Sequence, residues 1–110
     1  MAHLRFVRRA VCAATRASGA FRHGAVVVHK GRVVASGCNR FGAGARDSVH
    51  AEAATVARVP RSVLRGATMF VVRVGRDQRL LESRPCTRCQ RHLARLGMRC
   101  VFYTTASAGV

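Results

Sequence analysis

The chain has 110 residues, 49% of them apolar, enough for one packed domain spanning residues 1–110. No apolar run nears the roughly 20 residues that cross a bilayer, the N-terminus lacks the apolar core of a secretory leader, and five cysteines without an export signal argue against a disulfide framework. A soluble cytoplasmic protein with no membrane partner is expected. Twenty basic residues face four acidic ones, a net charge of +16, and Lys30 is the only lysine. Such a field favours polyanions and makes nucleic acid a possible partner, although the arginines are spread along the whole chain rather than gathered in one block.

In chain order, residues 3–17 read as a helix, with Leu4, Val7, Val11 and Ala14 recurring at helical steps and Ser18-Gly19 as its stop. Val-rich residues 24–30 and 32–38 flank Lys30-Gly31 and predict a hairpin. Residues 40–48, with two glycines, read as a flexible loop in which Asp47 serves a turn or cap. A short helix is expected over 49–59, ended by Pro60, then a strand over 67–74 and a turn at 75–78. Cys86 to Leu96 reads as a helix stopped by Gly97. Its apolar stripe is Cys89, Leu93 and Leu96, with Arg88, Arg91 and Arg95 opposite as a possible phosphate guide. A last strand covers 99–104 before a short, frayed tail at 106–110. Cys12, Cys38 and Cys100 stand singly in apolar stretches and read as small buried hydrophobes. A hairpin followed by strand–helix alternation indicates a mixed sheet covered by helices.

Two motifs carry chemistry: His50-Ala51-Glu52 and Pro85-Cys86-Thr87-Arg88-Cys89. A lone Cys-x-x-Cys can be a redox pair, but such a pair needs no His-x-Glu. Together, one imidazole and two thiolates make three zinc ligands and leave the fourth position to water, as catalytic zinc does. A structural zinc would want a fourth protein ligand, and neither His3, His23, His29, His92 nor a third cysteine has a convincing partner spacing. Zinc lowers the pKa of bound water to near 7. Glu52, two residues after a ligand, is placed to move protons without binding the metal. Both motifs open helices, whose N-termini favour thiolates.

This pairing of H-x-E with P-C-x-x-C resembles the cytidine deaminase superfamily of zinc hydrolases, over about residues 21–104. The resemblance implies a three-layer α/β/α fold with a central mixed sheet, C-terminally short because the chain ends after its last strand. It implies one Zn2+ held by His50, Cys86 and Cys89, with Glu52 as catalytic proton shuttle. It also implies that Asn39 bonds the substrate sugar, that the Ala51 N–H meets the base carbonyl, and that Gly24-Ala25 floor the base pocket. Family members often form dimers or tetramers, so a homo-oligomer is expected.

Residues 24–52, with Asn39 eleven positions before His50, are similar to tRNA adenosine deaminases. The segment 75–84 and Arg84 before the proline depart from that branch, and the helix and strand after Cys89 look more like small cytidine or deoxycytidylate deaminases. The leading expectation is hydrolytic deamination of cytosine in cytidine, deoxycytidine or their nucleotides. Two alternatives stay open. One is a deaminase acting on a polynucleotide, either tRNA adenosine or cytosine in a single strand. The other is a non-catalytic nucleic-acid-binding module, which would have no need of Glu52.

Overall fold

A computed structural model describes residues 2–17, 22–41 and 48–105. Its elements are α1 (Ala2–Ala14), β1 (Arg22–His29), β2 (Arg32–Cys38), β3 (Arg40–Phe41), β4 (Ser48–Val49), α2 (Ala51–Val56), α3 (Arg61–Leu64), β5 (Thr68–Val74), β6 (Leu80–Leu81), α4 (Thr87–Arg95) and β7 (Cys100–Tyr103). The expected stop at Ser18-Gly19, the tip of the expected loop with Asp47, and the tail 106–110 lie outside the described residues.

β1 and β2 form an antiparallel hairpin. Lys30 and Gly31 both take positive φ (51° and 76°), as the two-residue turn matching strand twist requires. β1 also pairs antiparallel with β5 along its length, from Arg22↔Val74 to Val28↔Thr68. The other edge of β5 is shared. β7 runs parallel to its first half, Thr68↔Cys100 to Val71↔Tyr103, and β6 antiparallel to its end, at Arg73↔Leu81 and Val74↔Leu80. The sheet is therefore mixed, as expected, and five-stranded, with β6 added to the four expected strands.

Alternation along the strands divides the core in two. Val26, Val28, Phe70, Val72 and Val74 face α1, where Phe6, Val7, Ala10 and Ala14 meet them. Ala25, Val27, Met69 and Val71 face the opposite way, onto Ala51, Val56 and Leu64 of the α2–α3 side and Leu93 of α4. Helices cover both faces, which makes three layers.

The apolar stripe of α1 is rotated from the expected one. Phe6 and Val7 point inward, which leaves Leu4 at 51% exposure and Val11 half-buried. The helix also stops at Ala14 instead of 17, tightening into shorter-range bonds from Arg16 to Ala13 and Ala17 to Ala14. Of the three single cysteines expected inside, Cys12 is exposed and Cys38 and Cys100 are half-buried, so only partial burial holds for two of them. Cys12 lies beside Arg8 and Arg9 on the outer face of α1.

Three short elements carry no sequence periodicity and were not expected: the β3–β4 ribbon, with Arg40↔Val49 and Phe41↔Ser48; α3, which begins directly after Pro60; and β6. The helix expected over 49–59 is the six-residue α2 followed by two short-range turns at Arg58 and Val59. The helix over 86–96 and the strand over 99–104 form within a residue or two of the expected bounds.

Candidate active site

The two motifs meet at the N-termini of α2 and α4. α2 lies directly on β2: a Cβ on Gly37 would come within 2.6 Å of Thr55 Oγ1, so only glycine allows this approach. His50 is the N-cap of α2 in extended conformation (φ −67°, ψ 153°), and its side chain makes no cap bond. Its ring is therefore available to project from the helix end.

The lead-in to the second motif is pinned from below. Ser83 and Thr104 are buried and stitch the segment after β6 to the end of β7. Ser83 N donates to Thr104 O at 2.9 Å, Thr104 N to Ser83 Oγ at 2.8 Å, and Ser83 Oγ to Val71 O at 2.8 Å. From there Pro85 turns the chain into Cys86, the extended N-cap of α4 (φ −66°, ψ 164°). Cys86 Sγ accepts from Cys89 N at 3.5 Å, and Gln90 Nε2 donates back to Pro85 O at 2.8 Å. The segment 75–84, which departs from the tRNA-directed pattern, is thus a β5–β6 hairpin that delivers the chain to Pro85.

His50 Nδ1 lies 3.5 Å from Cys89 Sγ and 3.8 Å from Cys86 Sγ; the three donor atoms all fall within 4.8 Å of one another. A tetrahedral zinc with Zn–S of about 2.3 Å and Zn–N of about 2.05 Å separates its donors by about 3.6–3.8 Å. Both His50–sulfur separations match such an ion, through Nδ1, and with all three atoms within 4.8 Å the set closes on it with a shift of about 1 Å at most. His50 and Cys86 are exposed and Cys89 is buried, so the cluster opens to solvent on one side, as an open coordination position needs.

Glu52 stands in the first turn of α2, 5% exposed. Burial first, then the Glu52 charge and the neighbouring Cys86, push the Cys89 thiol up from 9.0 to about 12. This reverses, for Cys89 without a metal, the thiolate preference expected of a helix N-terminus. A buried thiol beside a carboxylate and a second, exposed thiol is a site that a cation relieves.

The remaining expected residues separate by face. Ala25 is fully buried on the site face of the sheet. Gly24 is on the other face, where a Cβ would collide with the Ala10 carbonyl oxygen and Ala14 N. Its lack of a side chain serves the approach of α1, and only its backbone can border a base pocket. Ala51 is fully buried in the first turn of α2, where helical N–H groups have no intrahelical acceptor. Asn39 flanks His23: Asn39 N donates to His23 O at 3.3 Å, and Asn39 Oδ1 accepts from His23 N at 2.8 Å. Its carboxamide oxygen is thus engaged in ending the hairpin. Arg88, Arg91 and Arg95 are all exposed on α4.

Sequence reasoning missed His23 and Arg73. They are partners across β1 and β5, two residues from Ala25 and Val71 and therefore on the same, site-facing side. Burial first, then the positive neighbours Arg73 and His50, hold the His23 imidazole below its ordinary range. The alternation His23, Ala25, Val27 in the sequence was the signal that could have placed it.

Residues 1–105 match the family described as the cytidine and deoxycytidylate deaminase zinc-binding region. No curated protein matches the chain. Among solved structures, it is similar to dCMP deaminase from the cyanophage S-TIM5 in complex with dCMP and dUMP, with a TM-score of 0.75, 19% identity, and coverage of 94% of this chain and 81% of that one. It is also similar to a diaminohydroxyphosphoribosylaminopyrimidine deaminase/5-amino-6-(5-phosphoribosylamino)uracil reductase from Thermotoga maritima (TM-score 0.70, 25% identity, 97% of this chain, 30% of that one). A third likeness is to cytidine deaminase from Mycobacterium tuberculosis (TM-score 0.64, 24% identity, 90% and 82% covered).

Proposed function

The chain belongs to the cytidine and deoxycytidylate deaminase zinc-binding family, and from that membership we propose that it removes the exocyclic amine of cytosine hydrolytically, in cytidine, deoxycytidine or their nucleotides. The observation that carries the reading is the convergence of His50 Nδ1 with both sulfurs next to a buried Glu52. His50, Cys86 and Cys89 would hold one zinc, which supplies the Lewis acidity that brings the pKa of water near neutrality.

Glu52 is the proton carrier of this proposal. It takes a proton from the attacking water, gives it to the ring nitrogen beside the reacting carbon, and passes the second proton to the leaving amine. Water and cytosine become uracil and ammonia, with Glu52 returned to its starting state. Burial of Glu52 keeps bulk water from competing for those protons. The Ala51 N–H faces the base carbonyl, Ala25 floors the pocket, and Asn39, whose carboxamide oxygen already accepts from His23 N, lies beside the sugar. His23 and Arg73 add two polar groups at the edge of the same face.

The similarity of α4 and β7 to small cytidine and deoxycytidylate deaminases favours cytosine. The eleven-residue spacing of Asn39 and His50 supports a second reading, a polynucleotide substrate. Product analysis over cytidine, deoxycytidine, dCMP, single-stranded DNA and a tRNA anticodon stem tests both. Uracil products from the first three are expected; inosine from the anticodon stem alone would overturn the cytosine assignment.

A further inference from the structure

We propose that six arginines lining two grooves on and beside the α2–α3 side form a docking site for the phosphodiester backbone of a single-stranded nucleic acid. The placement of the arginines carries this inference, whichever base the active site accepts.

The six fall in two grooves. The first, about 280 Å³, is lined by Arg16, Arg40 and Arg58. In it two guanidinium groups converge on one residue: Arg16 Nη2 donates to Ser36 Oγ and Arg58 Nη1 to Ser36 O, each at 3.2 Å. The second, about 440 Å³, is lined by Arg61, Arg65 and Arg95 with Ser62 between them in sequence. Arg58 and Arg61 are three residues apart, across Val59 and Pro60, so the two linings approach each other in the chain where α2 passes into α3.

All six arginines are exposed, and among the described residues no acid lines either groove. Glu52 is buried in the candidate active site, and the one ion pair among the described residues joins Arg79 to Asp77 elsewhere. Cations gathered without carboxylates repel one another until an anion enters, and a guanidinium fork meets phosphate oxygens with paired N–H donors.

An isolated phosphate would need one groove. Two arginine-lined grooves whose linings come within three residues of each other suit a chain of phosphates. The first groove includes Arg40, the residue after Asn39, which puts it next in the chain to the proposed sugar contact. A membrane surface is disfavoured because such binding adds apolar anchors to the basic ones. The large hydrophobics that are exposed, Leu4 and Val34, line neither groove.

The test is fluorescence anisotropy of a short labelled single strand over a salt series, with melting curves to confirm folding. Each lost phosphate contact on a single strand flattens the log–log salt dependence by about 0.7. The Arg61→Gln/Arg65→Gln/Arg95→Gln variant is therefore expected to flatten it by about 2 and to weaken binding about tenfold or more at low salt. Arg16→Gln/Arg40→Gln/Arg58→Gln is expected to do the same. Arg8→Gln/Arg9→Gln/Arg76→Gln removes equal charge outside both grooves and is expected to change binding far less.

Equal losses in all three variants would overturn the proposal in favour of a diffuse field. Displacement of the strand by inorganic phosphate as readily as by unlabelled strand, at equal phosphate concentration, would also overturn it, leaving only isolated anion subsites. Deamination of free cytidine by the Arg61/Arg65/Arg95 variant is measured alongside and is expected to match the unmodified protein. Loss of strand binding is thereby read separately from any failure of the deaminase reading.

Discussion

Replacing Glu52 by Gln isolates proton transfer from everything else the site does. The side chain keeps its length, and in a position 5% exposed the change removes a charge without opening a cavity. The three donor atoms are untouched. Loss of the Glu52 charge also removes one cause of the raised Cys89 thiol, the second after burial itself, so metal retention should not suffer. The melting temperature should hold or rise slightly, because a buried carboxylate no longer has to be desolvated. Turnover should collapse. General acid–base help is worth about 10²- to 10⁴-fold, and here a single carboxylate serves both transfers, which places the loss at the upper end. Steady-state ammonia release, zinc content and a melting curve on one preparation check the three parts together. A Glu52→Gln protein with full zinc and a near-normal rate would refute the reasoning, because no other described acid lies at the site.

Asn39→Ala should raise KM with zinc retained, by about 1–3 kcal/mol of lost substrate binding. Melting should fall slightly as well, since the His23 N–H loses its acceptor; an unchanged KM removes Asn39 from the substrate's surroundings. Gly24→Ala places a Cβ against the Ala10 carbonyl and Ala14, an overpacking of about 1–3 kcal/mol, and should lower Tm by about 5 °C or more. Wild-type Tm would mean that α1 does not pack this closely. Metal-free protein should lose stability between about pH 9 and 12: the unfolded Cys89 thiol ionises near 9.0 while the folded one stays protonated to about 12, so the native state is disfavoured as pH rises through that window. Zinc should abolish this loss, which pH-resolved melting with and without metal measures.

The long periodic elements were legible because their patterns repeat. Val-rich runs on either side of Lys30-Gly31 specify a hairpin, and Cys89, Leu93 and Leu96 mark one face of α4 between Cys86 and Gly97. Four short elements were not, because β3, β4, β6 and α3 are too short to show a period and form where tertiary contacts hold them. The stripe of α1 was misplaced for a related reason. Leu4, Val7 and Val11 and the set Phe6, Val7 and Ala10 are both helical repeats, and the sheet's aromatic cluster decides between them: Phe6 packs at a tilt on Phe70, with ring centroids 5.3 Å apart. The metal-type cluster was readable from motif spacing alone, because two helix N-termini carry all three donors. Strand alternation alone sets Gly24 on the face opposite Ala25; that α1 closes on that face, and that Arg73 pairs with His23, depend on which elements lie beside which and were not readable.

The most direct test of the whole account is reconstitution of metal-free protein with measured increments of zinc, following ammonia release from cytidine or dCMP at each step. Activity is expected to rise linearly and stop at one zinc per chain, with Cys86→Ala and Cys89→Ala remaining inactive at every increment. Activity that is independent of added zinc would contradict it, as would Cys86 and Cys89 found joined in a disulfide in the active preparation.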